Sequence, residues 1–138
     1  MMNKSEFFET LRTRRADWDA LLAQIGEGEH MTQPGAAGHW SVKDIICHVT
    51  AYEHWLVEWL TAASQNTFPA SSPLDDANVE CRNARVYELT HNMSLLDVMN
   101  DARQTFAELL EIIKVLPDAY FDDPQKRRMV YETLLEQN

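Results

Sequence analysis

The strongest constraint on the fold is the start of a helix just after Trp40, because the residues there determine where the helix begins and which face it buries. Ser41 suits the N-cap position, where a hydroxyl accepts hydrogen bonds from the free backbone N–H groups of the first turn. Asp44 stands three residues later, in the place of the acid of a capping box, and its charge suits the positive end of the helix dipole. Trp40 precedes the cap and predicts a hydrophobic staple onto Ile45.

The helix that follows, predicted to run from about Val42 to Ser64, carries an apolar face that includes a histidine. The residues that recur at steps of three and four, and therefore share this face, are Ile45, His48, Tyr52, Trp55 and Trp59. An imidazole that points into a bundle is either a core side chain that hydrogen-bonds a neighbour or a metal ligand or acid–base group. The aromatic residues beside it are either plain core or the walls of a small-molecule pocket. We therefore take His48, Tyr52 and Trp55 as a candidate pocket, with His48 as its candidate metal ligand and the catalytic residues undetermined.

The segment Gly38–Glu53, with the letters GHWSVKDIICHVTAYE, resembles the second helix of the DinB-like, YfiT-like superfamily, where the pattern W-S-x-K-D-x-x-x-H recurs. Within that superfamily it resembles the ClbS/DfsB family. The resemblance implies an all-α four-helix bundle of the up-down-down-up type, and it implies that His48 is one of three metal-binding histidines. Relatives include metal-dependent thiol transferases and isomerases, and a ClbS-like protein hydrolyses an electrophilic cyclopropane in a genotoxic metabolite.

Length and charge narrow the function classes. A chain of 138 residues predicts a single domain, 1–138, that is large enough for a core. The net charge of −10 disfavours a nucleic-acid partner, because a polyanion repels phosphate backbones. The two cysteines, Cys47 and Cys81, do not form a disulfide framework, and no apolar run approaches the roughly 20 residues of a membrane span. The sequence therefore predicts a cytoplasmic protein that does not contact membranes.

Three further helices have start signals of their own. Asn3 and Glu6 predict a cap for a first helix of about 20 residues that ends near Gly26. A third helix is predicted to begin at Asp75 or Asp76. A fourth is predicted to begin at a second Ser-x-x-Asp cap, Ser94 with Asp97, and to end before Pro117.

Two charged positions on these helices are interpreted as solvated. Arg15 lies between the apolar turns of the first helix and is expected to be exposed or to pair with Asp17 or Asp19. Glu53 falls outside the main apolar stripe of the second helix and is also expected to face solvent.

A last helix is predicted to begin at Asp123-Pro124, with proline at the first helical position, and leaves about 15 residues before Asn138. In many relatives this helix continues into T-x-x-H-x-x-x-H, which supplies two further metal-binding histidines. The present sequence has no residues at those positions. The resemblance therefore predicts a short or truncated last helix and a site for a divalent metal, Zn or Ni, that is incomplete in this chain. Since the core stripe would be left partly uncovered, a missing tail or a homodimer would complete the bundle.

The sequence leaves three functions open. The first is a metal-dependent hydrolase or thiol transferase that acts on small electrophilic compounds and so protects the cell, with His48 holding the ion. The second is a non-catalytic protein that sequesters a small-molecule ligand between its helices. The third is a dimerising helical module.

Overall fold

A computed structural model describes residues 3–26 and 28–125, and within them every long element is a helix and no strand is formed. The elements are α1 (Lys4–Ile25), α2 (Val42–Ser64), α3 (Val79–Thr90), α4 (Leu95–Val115) and the short α5 (Asp118–Asp122). The all-α helical bundle is therefore confirmed. Among the described residues, no helix combines the length and the apolar character that crossing a membrane requires.

The predicted helix starts are confirmed where a polar side chain caps the first turn. The Ser41 hydroxyl accepts from the backbone N–H of Asp44 at 3.1 Å, and Asp44 Oδ2 accepts from the backbone N–H of Ser41 at 2.9 Å. Asn3 and Ser94 cap α1 and α4 through single hydrogen bonds of 2.9 and 3.2 Å. These bonds join residues three apart, so the sequence alone is sufficient to predict them.

The predicted start of the third helix was wrong. α3 begins after Asn78, whose Oδ1 accepts from the backbone N–H of Cys81 at 2.9 Å. Asp75 belongs instead to a separate 3-10 turn, Pro73–Asp75, which Ser72 caps in the same reciprocal manner. Ser72 and Asn78, six positions apart, each cap a helical segment, and the long helix begins at the second of these caps.

The second helix is the centre of the molecule. α2 packs most extensively against α4 and next against α3. Its inward residues join a core whose fully enclosed members are Leu56, Leu60, Leu109 and Ile113. Burying each of these side chains contributes about 1.5–3 kcal/mol relative to leaving it exposed. α2 is therefore the fixed element on which the site is built.

Arg15 and Glu53 form a buried ion pair, so the prediction that Glu53 faces solvent was wrong, whereas the alternative that Arg15 pairs with Asp19 is confirmed. The Arg15 side chain is 12% exposed and that of Glu53 is 5% exposed. Arg15 Nη1 donates to both Glu53 carboxylate oxygens at 3.2 Å, and Nη2 donates to the backbone oxygen of Ala102 at 3.1 Å. The Arg15 guanidinium also lies 4.5 Å from the ring centroid of Phe106, while Asp19, one of its predicted partners, is 3.6 Å from Nε. One side chain of α1 thus binds both α2 and α4.

The segment after α4 anchors the end of the described chain. The Phe121 ring is buried and lies 5.7 Å from the ring of Phe7 on α1. Lys4 Nζ donates to the backbone oxygens of Lys114 and Leu116 at 2.7 Å each, which satisfies the end of α4. Residues 126–138, which hold nearly all of the predicted last helix, lie outside the described part of the chain.

Candidate functional site

His48 is half-buried on α2 and packed between two aromatic rings. Its ring centroid lies 5.4 Å from that of Trp40 and 4.8 Å from that of Tyr52. Its Nδ1 is fully enclosed and has no hydrogen-bond partner among residues 3–26 and 28–125. The prediction that the His48 imidazole turns inward is therefore confirmed. The alternative, a core side chain that hydrogen-bonds a neighbour, is not supported at Nδ1 by this part of the chain.

Burial lowers the pKa of the His48 imidazole below its ordinary value, because desolvation penalises the charged form. At neutral pH the ring is consequently uncharged. A neutral imidazole keeps one nitrogen lone pair, which can bind a metal ion or accept a proton. A buried nitrogen without a hydrogen-bond partner lowers the stability of the folded protein. A function for this nitrogen would explain why the fold contains it.

Local backbone geometry holds Trp40 over His48. The Trp40 N–H donates to the Ala37 oxygen at 3.0 Å, and the Trp40 oxygen accepts from the N–H groups of Ala36 and Ala37 at 3.0 and 3.3 Å. The turn needs Gly38, whose φ of 61° lies in the left-handed region that side chains disfavour. This turn and the Ser41 cap together fix the Trp40 ring at the start of α2.

Tyr52 is a wall of the site whose hydroxyl is already engaged. It donates to Asn83 Oδ1 at 3.1 Å and accepts from Arg82 Nε at 3.2 Å, both on α3. The Arg82 guanidinium also lies 5.9 Å from the Tyr52 ring centroid. Sequence reasoning missed the roles of Arg82 and Asn83, because α3 carries only a weak apolar pattern and nothing in it shows which polar residues face α2.

The aromatic cluster continues from Trp40 onto α3 and its C-terminal cap. Tyr87 is nearly parallel to Trp40, with ring centroids 6.5 Å apart, and it stacks on His91 at 4.5 Å. His39 packs edge-on against Tyr87 at 5.1 Å. His91 does not approach His48 through these contacts. Its Nδ1 lies instead 3.7 Å from Oδ1 of the buried Asp44.

The structure brings His48 and Tyr52 together, but it orients the Trp55 indole elsewhere. Trp55 Nε1 donates to Asp75 Oδ1 at 3.1 Å, and this bond, after one from the backbone of Ser72, helps to lower the pKa of the Asp75 carboxyl. Trp55 lines a cavity of about 320 Å³ between α2, α3 and the start of α4, which we call the α3 cavity. The residues that line it do not include His48 or Tyr52. A single pocket formed by all three predicted residues therefore stays a prediction.

The described residues do not assemble a complete metal centre. Between residues 3 and 125, Glu27 excepted, no group of three or more histidine, cysteine, aspartate or glutamate side chains could hold an ion. His54 is exposed and lies 3.4 Å from Glu58. His48 fits the role of one ligand, since its enclosed Nδ1 is free, but a metal site needs three or four.

The described residues thus form an all-α bundle in which a histidine turns inward from the second long helix. Comparison with known families shows that residues 10–136 match the DinB superfamily, and the chain belongs to it. Neither the comparison with curated proteins nor that with solved structures finds a match. The ClbS/DfsB family remains a prediction.

Proposed function

We propose that this DinB-superfamily protein acts on a small electrophilic molecule at His48, as a metal-dependent hydrolase or thiol transferase of the ClbS/DfsB type. The observation that carries the proposal is the enclosed Nδ1 of His48, which is uncharged and has no partner among the described residues. Such an atom is available either to a divalent ion or to a proton. Protection against reactive compounds in the cytoplasm would be the biological role.

Zn or Ni is the proposed cofactor, and a bound divalent ion would lower the pKa of water or a thiol and supply a nucleophile at neutral pH. His48 is the one ligand we assign, because the described chain contains no group of three or more histidine, cysteine, aspartate or glutamate side chains that could hold an ion. The remaining ligands would come from residues that the structure does not describe, from solvent or from a second copy of the protein.

The chain's own side chains would position the substrate. The Trp40 and Tyr52 rings enclose His48 from two sides and favour an apolar molecule. The Arg82 guanidinium, held against the Tyr52 hydroxyl, places positive charge at the edge of this site, where negative charge on a leaving group would be stabilised. If no ion is bound to His48, the lone pair of its uncharged ring could instead accept the proton that the attacking water or thiol loses.

Metal content measured by elemental analysis tests the proposal, with His48→Gln as the variant and His54→Gln as its control. His54 lies on the same helix but is exposed. We expect wild type and His54→Gln to copurify with Zn or Ni and His48→Gln to lose it. Turnover of an activated epoxide or cyclopropane, measured with and without a small thiol, then distinguishes hydrolysis from thiol transfer. Equal metal content in wild type and His48→Gln would contradict the assignment of His48 as a ligand.

A second function, non-catalytic binding of a small-molecule ligand, is favoured by the absence of a three-ligand group from the described residues. It predicts that an electrophilic probe raises the melting temperature of metal-free protein without being converted. A homodimer, the third prediction, would be detected by light scattering as a doubled mass. The exposed Leu96 at the start of α4 and Leu21 on α1 are apolar surface that such an association could cover.

A further inference from the structure

The α3 cavity is separate from the site at His48 and has its own walls. It lies between α2, α3, the first turns of α4 and the turn Pro73–Asp75. Its volume of about 320 Å³ is at the lower end of the range of small-molecule sites. Because an apolar cavity of about 150 Å³ takes benzene, this one has room for roughly a dozen non-hydrogen atoms.

Most of the wall is apolar and held in place. Leu74, Val86 and Val98 are buried and line the cavity from three different elements. The flat side is formed by Trp55, whose indole is oriented by its hydrogen bond to Asp75. A preformed apolar wall with one oriented aromatic ring is typical of a ligand site, because little side-chain entropy is lost on binding.

Thr50 places a side-chain hydroxyl in the wall of the cavity. Thr50 is 5% exposed, and its hydroxyl makes no hydrogen bond within the described part of the chain. Thr90, across the cavity, donates instead to the Val86 oxygen at 2.8 Å. The Thr50 oxygen is not among the fully enclosed polar atoms without a partner, so it is accessible from the cavity, where a polar ligand group could form a hydrogen bond with it. Thr50 is therefore a specific polar contact available to a bound molecule.

Among the described residues, the one cysteine that lines the cavity is a poor nucleophile. Burial raises the pKa of the Cys47 thiol, which lines the cavity, and the negative charge of the nearby Asp101 acts in the same direction. The thiol is thus protonated at neutral pH and is a poor nucleophile. Cys47 contributes a small, polarisable surface to the wall.

The charged side chains that line the α3 cavity are acidic. Glu58 and Asp101 line it, whereas no lysine or arginine is among its lining residues. His54 lies beside Glu58, with Nδ1 3.4 Å from Oε1, and no cation of the described chain forms an ion pair with Asp101. Carboxylates at the edge of an apolar cavity attract a cationic head group and repel an anionic one.

We propose that the α3 cavity is a second ligand site, which binds a small organic cation: an ammonium group on an apolar body, with the apolar body against Trp55 and the polar head toward Thr50 and Asp101. This site neither uses His48 nor depends on a metal. It goes beyond the function proposed above and can fail independently of it.

Three probes of matched size and different charge test the proposal: 3-phenylpropylamine, 3-phenylpropan-1-ol and 3-phenylpropionate. Their affinities for the full-length protein are measured at neutral pH by titration followed by ¹H–¹⁵N NMR, which also locates the shifted amides. We expect the amine to bind most tightly, the alcohol more weakly and the acid weakest, with shifts on α2 and α3 around Thr50 and Val86.

Asp101→Asn removes the charge at an exposed position, and Glu108→Gln makes the same change in net charge further along α4, outside the cavity. We expect Asp101→Asn to weaken amine binding about fivefold and to leave alcohol binding unchanged, whereas Glu108→Gln changes neither. Thr50→Val, nearly the same in shape, should weaken the amine and the alcohol alike, again about fivefold. His48→Gln should bind all three probes as wild type does.

The proposal is overturned if the amine, the alcohol and the acid bind equally, or if none binds at millimolar concentration. It is also overturned if Asp101→Asn and Glu108→Gln weaken the amine by the same factor, since the effect would then come from net charge alone. Amine-induced shifts that centre on His48 and vanish in His48→Gln would place the ligand at the other site and would likewise refute it.

Discussion

Replacing Arg15 with methionine should be among the most destabilising single changes in the protein, although Arg15 was expected to be a surface residue. Methionine keeps the apolar stem of the side chain and removes the guanidinium. The Glu53 carboxylate then loses both of its 3.2 Å hydrogen bonds while it remains almost fully buried. Removing one partner of a buried pair costs about 3–5 kcal/mol, because the other charge is left without compensation.

The loss of stability caused by Arg15→Met should be smaller at low pH. Burial raises the pKa of Glu53, and the Arg15 charge opposes that rise. Without Arg15 the folded-state pKa lies further above the unfolded value of about 4.3, so the folded protein takes up a proton as the pH falls. The destabilisation from the unpaired Glu53 charge is thus fully present above the folded-state pKa of Glu53, and it decreases as the pH falls toward the pKa of Glu53 in the unfolded chain.

Urea unfolding followed by circular dichroism at pH 7.5 and pH 5 measures both effects. Arg12→Met is the matched control, because Arg12 pairs with Glu9 on the same helix with both side chains more than half exposed, and its loss should cost about 0–1 kcal/mol. Arg15→Met combined with Glu53→Gln should be more stable than Arg15→Met alone, with a coupling energy of about 2 kcal/mol. Equal costs for Arg12→Met and Arg15→Met, or a penalty for Arg15→Met that does not change with pH, would refute the reasoning.

Two further predictions concern His48 and the cysteines. Because burial lowers the pKa of His48, the unfolded chain binds a proton before the folded one, so stability should fall as the pH drops below about 6.5 and level off below the folded-state pKa. His48→Phe should flatten this part of the stability curve, and an NMR titration that puts the His48 pKa at or above 6.5 would contradict the prediction. In native protein, iodoacetamide should modify the exposed Cys81, whereas the buried Cys47, with its raised pKa, should react only in denaturant. Mass spectrometry distinguishes the two, and equal labelling of both thiols in native protein would contradict the raised pKa of the Cys47 thiol.

Short-range chemistry explains which parts of this fold could be predicted. The Ser41–Asp44 capping box and the Asn3 cap join groups three residues apart, so the same residues form them whatever the rest of the chain does. The inward direction of His48 followed from the helical period for the same reason. The family match over residues 10–136 agrees with the resemblance seen in Gly38–Glu53.

The sequence by itself determined where α1, α2 and α4 begin and that His48 faces the interior, since caps and helical periodicity act within a few residues. Only the tertiary structure decided which side chains of other elements these helix faces contact. Arg15 finds Glu53 across 38 positions of sequence, Trp55 turns to Asp75, and Tyr52 is held from α3, because each contact depends on how separate helices pack and not on spacing along one of them. That His48 Nδ1 has no hydrogen-bond partner among residues 3–26 and 28–125 was likewise invisible in the sequence, because it depends on all the elements that surround the ring.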